Sequence, residues 1–172
     1  MQDPVFSITT LARPLVPKHP TNRAIIILTV LATILALALV LLDGGSFGSA
    51  LRSAFSSGVT VLLTWMIGRE VDPEYDLSAF VGVGLAFLAI LLQTTPPALL
   101  VLGILLPILR IVNRTVGPPA LRLDTAIIVV GALILVFLGR WQLALVAGAA
   151  LAMDGVLSPA HRFHLFVSPV VV

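Results

Sequence analysis

The chain has 172 residues, of which 59% are hydrophobic and only 10% charged, and its mean hydropathy is +1.13. Soluble domains are about 45–50% apolar and about 25% charged, so this composition predicts a chain whose surplus apolar surface faces lipid. The balanced formal charge of +2 argues against nucleic-acid binding, and the absence of cysteine excludes disulfides, iron–sulfur clusters and cysteine-ligated zinc.

The first part of the chain predicts two membrane crossings. A helix needs about 20 apolar residues to cross the hydrocarbon layer, and residues 24–42 provide such a run. A turn-forming segment, Asp43-Gly44-Gly45-Ser46, separates it from a weaker run at residues 49–68. The first run is longer than the apolar part of a signal peptide, so we expect residues 1–23 to remain as a cytoplasmic N-terminal segment.

An acidic stretch, residues 68–78, follows the second run. Asp72, Pro73 and Glu74 are typical of a helix N-cap and first turn, and Asp76 or Ser78 could also cap the next helix. We therefore interpret the acidic stretch mainly as a cap for the third crossing. The alternative is a Mg²⁺ site shared with a lipid phosphate; the spacing does not complete a calcium-binding loop.

The remaining apolar runs predict four shorter crossings. They cover residues 79–95, 97–112, 125–139 and 143–157, and they are followed by a cytoplasmic C-terminal tail, residues 158–172. Pro107 predicts a kink in the fourth crossing. The break at Thr94–Pro97 leaves open whether the third and fourth runs form a complete hairpin or a re-entrant loop.

The predicted fold class is therefore all-α: a polytopic transmembrane bundle of about six short crossings within residues 24–157, with both termini in the cytoplasm. Basic residues orient membrane proteins by collecting on the cytoplasmic side, and this threading leaves only Arg52 and Arg140 outside. The residues expected inside are Arg13, Lys18, Arg23, Arg69, Arg110, Arg114, Arg122 and Arg162. The prevalence of arginine over lysine, with abundant Ala, Leu and Val, favours a prokaryotic source, and the expected location is the cytoplasmic (inner) membrane.

Small and hydroxyl residues recur at helical spacing in the second and sixth crossings, where they predict faces for close helix packing. The members singled out are Ser53, Ser57, Gly58, Thr60, Thr64 and Gly148. A second interpretation is that the Ser/Thr row lines a polar groove or a substrate path, although hydroxyls can also bond to their own helix.

Ionisable residues expected at the cytoplasmic face form a possible headgroup or cation site. They are Glu70, Asp72, Asp76, Arg110, Arg114, Arg122, Asp124 and Asp154. Carboxylates and guanidinium groups at one interface can hold a phosphorylated headgroup. The simpler interpretation is that charges collect at any membrane boundary, and we favour it.

No catalytic or metal site follows from the sequence, so an enzyme is not the expected function. We expect an accessory, scaffold or oligomer-forming component that acts through helix packing, in contact with the lipid bilayer and with further copies or a membrane partner protein. One alternative is a small binding or transport module for an apolar or lipid-like solute. A second is an enzyme acting on lipid headgroups. No cofactor is expected beyond a possible Mg²⁺ ion or bound phospholipid.

Overall fold

The computed structural model describes residues 15–93, 99–113, 121–156 and 168–170. Helices account for 84% of these residues, and the described part contains no strand. Its six principal helices are α1 (Pro20–Leu42), α2 (Phe47–Val71), α3 (Ser78–Leu91), α4 (Leu99–Asn113), α5 (Arg122–Phe137) and α6 (Trp141–Val156). The all-α prediction is confirmed, and each predicted apolar run corresponds to one helix.

Two of the helices in the described segments, α1 with 23 residues and α2 with 25, are long and apolar enough to cross a membrane. Three others, α3, α4 and α6, are apolar but shorter. Pro107 lies inside α4 and is buried.

The connection from α1 to α2 is determined by two glycines and a serine. Gly44 has a φ of +77°, which suits glycine, and its N–H donates to the Leu41 carbonyl. The N–H of Gly45 reaches back to the Val40 carbonyl, which completes a Schellman motif. Ser46 then begins α2 as its N-cap, because its Oγ accepts a hydrogen bond from the Ser49 N–H at 3.2 Å.

The connection from α5 to α6 begins with the same Schellman motif. Gly139 has a φ of +73°, and the N–H groups of Gly139 and Arg140 donate to the carbonyls of Val136 and Leu135. A three-residue connection makes the two helices antiparallel neighbours, and they pack against each other. The gap between the predicted runs 125–139 and 143–157 therefore corresponds to a hairpin turn.

The described residues divide into two compact units, with the boundary inside α4. The N-terminal unit, Leu15–Leu102, contains α1, α2 and α3, and α2 packs against both of the others. Its core includes Ile25, Val61 and Trp65. The short α1–α2 and α2–α3 connections make successive helices antiparallel.

Two glycines permit close helix contacts in the N-terminal unit. A Cβ atom added at Gly58 would collide with the Thr33 hydroxyl, so α1 and α2 approach closely there. A Cβ atom at Gly68 would lie 2.7 Å from the Cα atom of Ala79, so the backbones of α2 and α3 approach each other closely at this point.

The C-terminal unit comprises the described residues of Gly103–Val172, including the α5–α6 hairpin. Buried residues on α6 recur every three or four positions, which is the spacing of one helix face. They include Ala144, Ala147, Gly148 and Leu151.

Several predictions concern segments outside the described residues. They include the interpretation of residues 1–14, the Thr94–Pro97 break, the position of Arg114, and residues 157–167 of the sixth run and tail.

Candidate functional site

The hydroxyl row of α2 lines a cavity in the N-terminal unit. Ser53, Ser57, Thr60 and Thr64 are spaced by three or four residues, so they lie on one face of the helix, and all four contribute to the wall of a cavity of about 540 Å³. This volume is within the range of small-molecule pockets, about 300–1,000 Å³.

The rest of the wall is mostly aliphatic. The last two turns of α1 contribute Ala36, Leu39 and Val40. The face contributed by α3 comprises Gly82, Leu85, Ala86, Ala89 and Ile90, with Gln93 just beyond the helix end. None of the described residues in the wall is charged.

Small residues explain why space remains between these helices. Ala36, Gly82, Ala86 and Ala89 project no more than a methyl group, so they do not fill the volume that larger side chains would occupy. Helices α2 and α3 are nevertheless close, because a Cβ atom at Gly82 would lie 2.8 Å from the Thr64 Cγ2 atom. The cavity therefore results from side-chain size within a closely packed unit.

The cavity lies towards one end of the N-terminal unit. Its wall uses the C-terminal half of α1, the middle and C-terminal parts of α3, and the N-terminal and middle parts of α2. Because successive helices are antiparallel, these parts share the end of the unit at which α1 connects to α2. Leu85 and Gln93 are exposed, whereas Ser57 and Thr60 are buried, so the cavity extends inward from the protein surface to the hydroxyl row.

The Thr60 hydroxyl is buried without a hydrogen-bond partner among the described residues. Other hydroxyls of the same unit bond to their own helix: Thr33 Oγ1 donates to the Thr29 carbonyl at 2.9 Å, and Ser56 Oγ donates to the Ser53 carbonyl at 3.1 Å. Thr60 is 5% exposed and lines the cavity. An unsatisfied buried hydroxyl costs about 1–3 kcal/mol, so Thr60 has an unused capacity to bond a molecule in the cavity.

The acidic stretch forms the connection between α2 and α3. The Arg69 guanidinium pairs with the Asp76 carboxylate across it. Both partners are substantially exposed to solvent, and such pairs contribute about 0–1 kcal/mol. Glu70, by contrast, is buried in the last turn of α2.

The prediction that Asp72 is a helix N-cap is wrong, and neither Asp76 nor Ser78 caps α3. Asp72 is the C-cap of α2, with φ of −135° and ψ of 82°. Proline restricts the preceding residue to extended conformations, so Pro73 ends α2 at Asp72 and remains in the bend. The N-cap of α3 is Leu77, and no side chain caps it; the Ser78 hydroxyl instead donates to the Tyr75 carbonyl at 2.7 Å.

The other members of the predicted headgroup or cation site that the structure describes belong to the C-terminal unit. Asp124 and Asp154 lie fifteen residues before and after Gly139, so the antiparallel hairpin places them at the same end, and both are buried. Arg122 is exposed and Arg110 is half-buried. Arg114 lies outside the described residues.

Asp124 has a local structural role at the start of α5. The fifth run was predicted to begin at residue 125, but α5 begins at Arg122, so Asp124 lies in its first turn. The Asp124 carboxylate accepts a hydrogen bond from the Leu121 N–H at 2.8 Å. A carboxylate in the first turn is also favourable to the helix dipole, so Asp124 stabilises the start of α5.

Within the described segments, no three His, Asp or Glu residues are grouped closely enough to hold a metal ion. The cavity wall formed by α1 and α3 was not predicted. Its signal was available in Gly82, Ala86 and Ala89, which share one helix face.

No protein-family model matches the sequence, and no curated protein or solved structure is significantly similar to it.

Proposed function

We propose that the chain is a multi-pass protein of the cytoplasmic membrane whose N-terminal unit binds an apolar or lipid-like solute in its cavity. The observation that carries this proposal is the cavity of about 540 Å³, which has an aliphatic wall and a hydroxyl row from α2. The leading expectation from the sequence, action through helix packing alone, stays a prediction and does not require such a cavity. The predicted cytoplasmic headgroup or cation site also stays a prediction.

The surface of α1 supports a membrane location. Only 17% of its most apolar 18-residue window is buried, so most of its residues are at least partly exposed. The exposed side chains include Ile27, Val30 and Ile34. Exposure of apolar surface to water costs about 25 cal/mol per Å², and hydrocarbon removes this cost.

The shorter helices fit a six-crossing topology with some adaptation of the bilayer. The 14 residues of α3 extend about 21 Å, whereas the hydrocarbon layer is about 30 Å thick. Local thinning and extension of flanking side chains to the interface accommodate such a difference. The distribution of basic residues supports cytoplasmic termini, so a fluorescent reporter that matures only in the cytoplasm should be active when fused to the C-terminus.

Photolabelling of the full chain in liposomes tests the binding proposal. A hydrocarbon probe that carries a diazirine should label the segment around Thr60 to saturation as its concentration rises. Labelling of the outward face of α1, around Val30, should rise in proportion to probe concentration because that face contacts bulk lipid.

Two matched variants make the test specific to the cavity. Ala89→Phe places a large side chain in the cavity wall and should remove the saturable labelling. Ala38→Phe makes the same change on α1 outside the wall and should leave it intact. Labelling near Thr60 that never saturates, or that is unchanged in Ala89→Phe, would contradict the proposal.

A further inference from the structure

The polarity of the cavity points to one chemical class of ligand. We infer that it selects an uncharged, mainly aliphatic molecule whose single hydroxyl or carbonyl group bonds to Thr60. This inference rests on the proposed function and adds the chemistry of the solute and the residue that recognises it.

The absence of charge in the described wall decides against ionic ligands. A charged group that leaves water requires an opposite charge or several hydrogen bonds, and otherwise costs several kcal/mol. The described wall offers hydroxyl groups and the Gln93 amide as its polar side chains. A fatty acid anion or an alkylammonium ion would therefore bind less well than a neutral molecule of the same length.

The location of Thr60 decides which end of the ligand is polar. Its hydroxyl is buried and unpartnered among the described residues, whereas the surface end of the cavity has the aliphatic side chain of Leu85 and the amide of Gln93, which is exposed and can already bond to water. A hydroxyl group can both donate and accept, so Thr60 can bond either an alcohol or a carbonyl oxygen. The polar group of the ligand should therefore lie at the inner wall, with its aliphatic part extending outward.

The cavity volume sets the size of the ligand. A cavity of about 150 Å³ holds benzene, which has six non-hydrogen atoms. By proportion, about 540 Å³ holds roughly 20 non-hydrogen atoms. A linear alcohol of roughly 15 atoms is therefore a suitable probe that leaves the cavity incompletely filled.

The test compares tetradecanol with pentadecane, which have the same number of non-hydrogen atoms and differ in the terminal hydroxyl. The full chain, in detergent, binds tritium-labelled tetradecanol in a scintillation proximity assay, and unlabelled pentadecane and tetradecanoate compete. We expect tetradecanol to bind about five- to tenfold more tightly than pentadecane, because this is the gain in affinity that one additional neutral hydrogen bond provides. Tetradecanoate should compete more weakly than tetradecanol.

Variants of Thr60 separate recognition from a structural role. Thr60→Val preserves shape and should weaken tetradecanol binding about five- to tenfold while leaving pentadecane within twofold. Thr60→Ser restores the hydroxyl and should restore tetradecanol binding. Thr29→Val is the matched control, because the Thr29 hydroxyl is also buried and unpartnered among the described residues but does not line the cavity.

Thermal unfolding without ligand gives an independent readout. Replacing an unsatisfied buried hydroxyl with a methyl group should raise the melting temperature of Thr60→Val, even though the same variant binds tetradecanol less well. A merely structural hydroxyl would instead lower the melting temperature when removed.

The outcomes distinguish the two proposals. If pentadecane and tetradecanol bind equally and Thr60→Val changes neither, the inference about Thr60 is wrong and the binding function remains. If neither molecule binds and photolabelling does not saturate, both proposals are wrong.

Discussion

Replacement of Gly68 by alanine tests the close approach of α2 and α3. The added Cβ atom would lie 2.7 Å from the Ala79 Cα atom and 3.0 Å from its Cβ atom. Carbon atoms in favourable contact are about 3.5–4.0 Å apart, so the helices would have to separate by roughly 1 Å. Because the nearest atom belongs to the backbone of α3, rotation of a side chain cannot relieve the overlap.

Two opposing terms set the size of the effect. Overpacking costs about 1–3 kcal/mol, whereas alanine in place of a helical glycine contributes about 1 kcal/mol of stability. The expected net loss for Gly68→Ala is therefore up to about 2 kcal/mol. In a protein of this size each kcal/mol changes the melting temperature by about 2–4 °C, so the midpoint should fall by up to about 8 °C.

The matched control is Gly84→Ala on α3. An added Cβ atom at Gly84 meets no atom within 4 Å, so the full chain should gain up to about 1 kcal/mol. Both variants are unfolded thermally in the same detergent and followed by circular dichroism. A midpoint for Gly68→Ala equal to or above that of Gly84→Ala would refute the close approach.

Three further substitutions test local features by the same measurement. Gly139→Ala should cost about 1–2 kcal/mol because its φ of +73° is unfavourable for a residue with a Cβ atom, and an unchanged midpoint would argue against the Schellman turn. Gln93→Gly should stabilise the chain by about 1 kcal/mol, since Gln93 has a φ of 50°; a loss of stability would contradict that backbone assignment. Asp76→Asn should lower stability by no more than about 1 kcal/mol because its ion pair with Arg69 is exposed, and a larger loss would mean that this pair fastens the α2–α3 connection.

Hydrophobic runs and turn residues were sufficient to predict the helices, because each run ends where glycine, proline or polar residues interrupt it. The Gly44 and Gly139 turns illustrate this, since Gly44 lies between two runs, Gly139 is the last residue of the fifth run, and both have a positive φ. The spacing of Ser53, Ser57, Thr60 and Thr64 likewise predicts a shared face, which follows from helix geometry alone.

The identity of caps was less predictable, because it depends on where the preceding helix ends. Asp72-Pro73-Glu74 matches a helix start in composition, but Pro73 acts on the residue before it and makes Asp72 an end. The sequence left two interpretations of the hydroxyl row open, a filled helix contact and the lining of a groove. The small residues that α1 and α3 place opposite the row leave the space open, and only the structure shows that these two helices face it.

The helices that pack together are mostly consecutive along the chain: α1 with α2, α2 with α3, and α5 with α6. Such contacts have low contact order because the helices that make them are adjacent in the sequence. Little loop-closure entropy is therefore lost before a native contact forms. Each hairpin can therefore assemble soon after its second helix is synthesised, without waiting for distant segments. The three helices that enclose the cavity would thus be in place while the ribosome is still adding the last third of the protein.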